Sequence, residues 1–140
     1  MTQEPPHSLV PALHRAGHAI GVSLDRILGD LTQAEAHVLA HLDEHGASTV
    51  GELHRAFGHR RSTLTGILDR LEQRGLVRRE LNPADRRTFT IVPTGAGKKA
   101  GRRAQGELQR IEQAALAGIS DADRDAFWRV LERIEAAARG

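Results

Sequence analysis

Apolar positions along the chain recur with two different periods, and the places where the period changes mark its elements. Leu9, Leu13, Ala16, Ile20, Leu24, Ile27 and Leu28 fall at three- and four-residue steps, the spacing that lines one face of an α-helix. This predicts a first helix after the Pro5-Pro6 start, broken by Asp30 to Thr32. Thr32 followed by Glu35 has capping-box spacing and opens a second helix, with Ala36, Leu39, Ala40 and Leu42 inward and a stop near Gly46. Thr49 with Glu52 repeats the device for a short third helix through Leu53 and Phe57, ended by Gly58. A fourth helix starts near Arg60 or Arg61, carries Leu64, Ile67, Leu68 and Leu71 on one face, and ends at Gly75.

There the pattern shortens. "LVRREL" and "RTFTIV" read as two short strands rich in branched side chains, separated by the turn signal Asn82-Pro83-Ala84-Asp85. Thr94 then caps a long fifth helix in which Ala100, Ala104, Leu108, Ile111 and Ala115 keep a helical period, despite four glycines that each weaken a helix. Ser120 caps a last helix with Phe127, Val130, Leu131, Ile134 and Ala138 on one face. Trp128, beside Phe127, reads as a core or dimer-interface anchor. The terminal helices hold apolar stripes that a domain of this size struggles to cover alone, so a second copy is the expected cover.

Two helices joined by a short turn and followed by a hairpin predict a mainly α fold, a winged helix-turn-helix with a two-stranded β-wing and N- and C-terminal dimerisation helices. The expected segments are 1–30 (N-terminal helix of the dimerisation region), 31–93 (the winged lobe) and 94–140 (C-terminal dimerisation helices).

Composition narrows the chemistry. Cysteine is absent, which removes disulfides, thiolate metal sites and thiol redox sensing together. No apolar run approaches the roughly 20 residues that cross a bilayer, and "MTQEPPHSLVPALH" lacks the order of a secretory signal, so a cytoplasmic protein with no membrane partner is expected. The formal charge is only +2, but Gly51 to Lys99 holds eleven basic residues against five acidic ones, a net of +6 that leaves −4 for the rest. A basic middle on a mildly acidic scaffold suits a polyanion.

The basic residues cluster where a winged helix-turn-helix would touch double-stranded DNA. In the N-terminal turn of the fourth helix, Arg60 and Arg61 offer long donors to a guanine edge or to phosphate, and Ser62, Thr63 and Thr65 offer short hydrogen-bonding groups. The helix amides there add a site for phosphate. Arg70, on the same helix, joins this expected DNA-binding set. At the wing tip, Arg86 and Arg87 can enter a narrow, negative minor groove. Asp85, two residues before Arg87, is expected to orient that guanidinium and not to face DNA.

The stretch "STLTGILDRLEQRGLVRRELNPADRRTFTIVPTGAG" resembles the recognition helix and wing of the MarR family of bacterial transcriptional regulators. The resemblance rests on Asp69 to Glu72, Gly75 to Val77, Asp85 with Arg87, and Thr94 with Gly97. The order of the other helices agrees over nearly all of the chain. Two positions depart from the pattern. Gly66 stands where members often carry Arg, which bears on sequence preference more than on binding, and Pro93 stands where Leu is common. The resemblance implies a homodimer with intertwined terminal helices on a pseudo-palindromic operator. It also implies repression, relieved by a small aromatic or phenolic effector.

Eight histidines add a question. His14 and His18 lie one turn apart on the first helix, His37, His41 and His45 form a row on the second, and His54 and His59 flank the helix-turn-helix turn. Such rows are commonly half-exposed helix faces, but they can also line a pocket, chelate a metal or gain protons below neutral pH. The resemblance favours the pocket for His14, His18 and His41. The sequence contains no Gly-rich loop after a strand and no His-Glu-x-x-His, so neither a catalytic site nor a cofactor is expected. Besides a ligand-released repressor, two readings stay open: an architectural DNA-binding protein without a sensor, and a regulator whose histidines answer to metal or pH.

Overall fold

The computed structural model describes residues 8–140, so the expected Pro5-Pro6 helix start lies outside the described residues. Its elements run α1 (Leu9–Leu28), α2 (Gln33–His45), β1 (Ser48–Thr49), α3 (Val50–Phe57), α4 (Arg61–Gln73), β2 (Val77–Leu81), β3 (Phe89–Pro93), α5 (Gly95–Leu116) and α6 (Asp121–Arg139). The six helices and the hairpin stand where the periodicity puts them. The sheet has one strand more than the expected two: β1 pairs antiparallel with β3, giving the order β1-β3-β2. Ile91, central in β3 and fully buried, faces Ser48 on one side and Arg79 on the other.

Helix starts follow their caps. The Thr49 hydroxyl accepts from the Glu52 amide at 3.1 Å while Glu52 reaches back to the Thr49 amide at 3.2 Å, a complete capping box. At α2 only half the box forms. Thr32 accepts from the Glu35 amide at 3.2 Å, but the Glu35 carboxylate is buried and turned toward Arg70, at 3.2 Å, and Arg74, at 3.6 Å. A buried carboxylate needs a partner more than a cap needs its second bond. Helix α4 ends in a Schellman motif, with Leu76 N donating to Leu71 O and Gly75 N to Glu72 O, both at 2.9 Å, and Gly75 at φ 70°.

Compactness divides the chain into a unit through Leu108 and a second from Gln109 to Gly140. In the first, Leu24, Leu39, Leu42, Leu53, Leu64, Ile67, Leu68, Leu71 and Ile91 form the buried core. Apart from Ile91 of β3 they lie on the inward faces expected of α1 to α4, but the first half of the α1 stripe is not covered, with Leu9 and Leu13 exposed at 67% and 37%. The second unit buries nothing on α6, and Phe127 and Trp128 are exposed at 57% and 65%, so neither is a core residue of the single chain.

Candidate nucleic-acid interface

Three residues, 58–60, turn α3 into α4, with Gly58 in the left-handed region at φ 65°. The core face of α4 buries Leu64, Ile67, Leu68 and Leu71, which drives Arg61, Ser62, Thr63 and Thr65 to the outer face, where all four are exposed. Arg60 is the N-cap residue, and no side chain caps the helix, in contrast to α2, α3 and α6. The partial positive end of α4 therefore opens outward between two arginines.

The wing tip is two consecutive tight turns. Asp85 N donates to Asn82 O at 3.2 Å, and Thr88 N donates to Asp85 O at 3.0 Å; Asn82 Oδ1 also accepts from Ala84 N at 3.0 Å. Arg86 and Arg87 occupy the corners of the second turn. The Arg87 side chain is 90% exposed, yet its Nε donates to Asp85 Oδ1 at 3.1 Å and its Nη2 to Oδ2 at 3.4 Å. The Arg87 amide donates to the same Oδ1 at 3.1 Å. Bonds from the Arg87 side chain, then from its backbone, hold the Asp85 carboxyl below its ordinary pKa.

Arg61 and Thr65 from α4, and Arg87 from the wing, line one open cleft of about 380 Å³ whose wall also includes His54 of α3. Helix and wing thus present their donors around a shared concavity. The arginines of the lobe also divide by pairing. Among the described residues Arg60, Arg61 and Arg86 form no ion pair, whereas Arg70, Arg74, Arg78 and Arg79 each do. Arg70, expected to contact DNA, donates to buried Glu35 and keeps about half its side chain exposed at 52%. Its pairing ties α4 to α2.

Sequence reading missed the brace between helix and wing. Arg79 of β2 donates to Asp69 at 2.7 Å and to Glu72 at 3.4 Å, both on α4, and fixes the strand against the helix. These partners are ten and seven residues apart in sequence but join a strand to a helix, where neither period carries across, so only the fold reveals them. Arg74 similarly reaches Asp30 at 2.6 Å.

The histidines fall into separate groups. His14 and His18 line a shallow groove on α1 with Arg15 and Ala19. His41 instead packs its ring against His45, at 4.4 Å between centroids, and edge-on to Phe57 at 5.4 Å; Phe57 in turn stacks on His59 at 5.8 Å. Among the described residues no group of three or more His, Asp or Glu could hold a metal ion. Burial lowers the pKa of His37, and His59 lowers it further; burial and His45 lower that of His41, against Glu44 and Glu52. A lowered imidazole favours the folded state when neutral, so its stabilisation is complete above the unfolded pKa and is lost as pH falls through the folded one. The melting temperature should therefore drop between about pH 7.5 and about pH 5.5, and drop less in His37→Gln; an equal drop in the variant would place the sensitivity elsewhere.

The MarR family model matches residues 31–89, from the start of α2 to the wing. The HTH-type transcriptional regulator YcgE of Bacillus subtilis (strain 168) is 47% identical over 58 residues, 41% of this chain and 38% of that protein. The chain spans 38% to 45% of the length of three such curated relatives. Coverage is longer for the transcriptional regulator HosA of Escherichia coli O111:H-, 31% identical over 108 residues, 76% of this chain and 79% of that one. Among solved structures, S. aureus MepR in its DNA-binding conformation superposes with a TM-score of 0.80 at 20% identity, over 94% of this chain and 98% of MepR. With HosA aligned over most of both chains, and the family model seated on the helix-turn-helix and wing, the chain belongs to the MarR family.

Proposed function

We propose that this chain is a sequence-specific transcriptional repressor that acts as a homodimer on a pseudo-palindromic stretch of double-stranded DNA. The observation that carries the reading is the shared cleft of Arg61, Thr65 and Arg87, lying beside an uncapped helix start and unpaired arginines. Helix α4 enters the major groove with Arg60, Arg61, Ser62, Thr63 and Thr65, and the wing brings Arg87, with Arg86 beside it, to the flanking minor groove. Arg70 contributes through its exposed half. Membership of the family and the likeness to MepR in its DNA-binding conformation support the same arrangement.

The apolar surface of the Gln109–Gly140 unit supports the dimer. Leu116, Ile119, Phe127, Trp128 and Leu131 line a groove of about 600 Å³, which water covers at a hydrophobic cost in the single chain. Release by a small aromatic or phenolic effector is the part that the family resemblance alone supports. His14 and His18 are candidates for its pocket, with His41 in a different ring cluster.

Selection of bound duplexes from a randomised pool, followed by fluorescence anisotropy on the best duplex and on a scrambled one, tests the reading. The selected duplex should bind about a thousandfold or more tighter than the scrambled one, with both affinities falling as salt rises. Equal binding to both would replace the repressor by an architectural protein. No binding to either would remove the DNA reading.

A further inference from the structure

Gly66 sits in the interior of α4, where glycine weakens a helix relative to alanine, and nothing within the chain asks for it. Two helical glycines have a packing reason, a Cβ at Gly97 lying 1.8 Å from Leu76 O and one at Gly101 lying 2.6 Å from Leu39 O, whereas Gly17, Gly95 and Gly106 meet nothing within 4 Å; of the glycines without such a reason, Gly66 is the one on α4. At Gly66 the sole atom a Cβ would meet within 4 Å is Arg70 Nη1, at 3.4 Å, an ordinary contact with the far end of a flexible side chain. Its φ is not positive either. Neither packing nor backbone conformation requires the missing side chain.

The position borders the outer face. Gly66 follows Ser62 and Thr63 by four and three residues, so it lies on their side of α4, half-buried where they are exposed. Resting on the DNA reading above, we propose that Gly66 is a specificity-determining residue: its bare backbone admits a thymine 5-methyl group into close contact with α4 and so selects an A·T pair there. The chemistry fits the surface. A mid-helix glycine has its amide and carbonyl engaged in the helix and offers only Cα–H, an apolar patch without a donor. In the major groove the thymine methyl is the one apolar projection among base-edge donors and acceptors. An alanine methyl would take the volume that the thymine methyl fills.

The test replaces each thymine of the selected duplex in turn by deoxyuridine, which deletes the methyl and keeps the pairing. Wild type and Gly66→Ala are compared by anisotropy on every duplex, and their melting temperatures are measured. Wild type should lose about fourfold in affinity at one thymine of each half-site. Gly66→Ala should bind the parent duplex about tenfold more weakly, recover at that deoxyuridine, and melt no lower than wild type. An identical deoxyuridine profile for both proteins would overturn the proposal, as would a lower melting temperature, which would reveal a packing role within the chain. If wild type selects no duplex, the DNA reading itself fails and this inference falls with it.

Discussion

Replacing Gly97 by alanine should lower the melting temperature by about 10 °C or more, whereas the same change at Gly106 in the same helix should leave it unchanged or slightly raised. The added Cβ at Gly97 would fall 1.8 Å from the Leu76 carbonyl oxygen and 2.9 Å from its carbon. Both are backbone atoms, and neither can swing away. Leu76 O already accepts from Thr94 N at 3.1 Å, and Thr94 Oγ1 both donates to Gly75 O at 2.6 Å and accepts from Gly97 N at 3.1 Å. These bonds lock the start of α5 to the root of the wing, so relief by shifting the helix breaks them. Overpacking costs about 1–3 kcal/mol and each lost bond about 1 kcal/mol more, a total near 3–4 kcal/mol. A Cβ at Gly106 meets nothing within 4 Å, so alanine there gains only its helical preference. Thermal melts followed by circular dichroism decide the matter. Similar shifts for the two variants would mean that the close approach at Leu76 does not bear on stability.

Those glycines also show where local reading stops. In sequence the four in α5 count only as weak points of a helix. In the fold Gly97, Gly101 and Ala104 are all buried on one side, and their spacing of four and then three residues was a legible small-residue stripe. Helix caps at Thr32, Thr49 and Ser120, the first wing turn at Asn82 to Asp85, and the inward leucines of α4 were readable because each rests on steps of at most four residues. Strand β1 was not, since two residues carry no alternation and their pairing with β3 spans about forty positions of chain. The same reason hid the brace of Arg79 on Asp69 and the use of Arg70 by Glu35. The histidine row of α2 was visible as a row. Its grouping with Phe57 and His59 was not, because those rings arrive from the end of α3 and the turn beyond it.

At the wing tip, Arg87→Ala should weaken DNA binding by about tenfold or more and reduce the salt slope by about one, with little preference among sequences. The guanidinium is almost fully exposed, so the chain itself gains little from it, and a change in binding without a change in melting temperature is expected. Asp85→Asn separates orientation from charge. It removes a negative charge from a surface meant for phosphates, which by electrostatics alone would tighten binding at low salt. It also removes the ionic fork that holds Arg87 at Nε and Nη2. An ordered guanidinium loses less freedom on binding than a loose one. If Asp85 acts by holding Arg87 in place, affinity falls about threefold or more in spite of the more favourable charge. The amide still accepts from the Arg87 backbone, so the turn itself is retained and the loss reports on the side chain. Tighter binding by Asp85→Asn would show that the carboxylate is only a repulsive neighbour of the DNA, and that Arg87 needs no partner to find the groove.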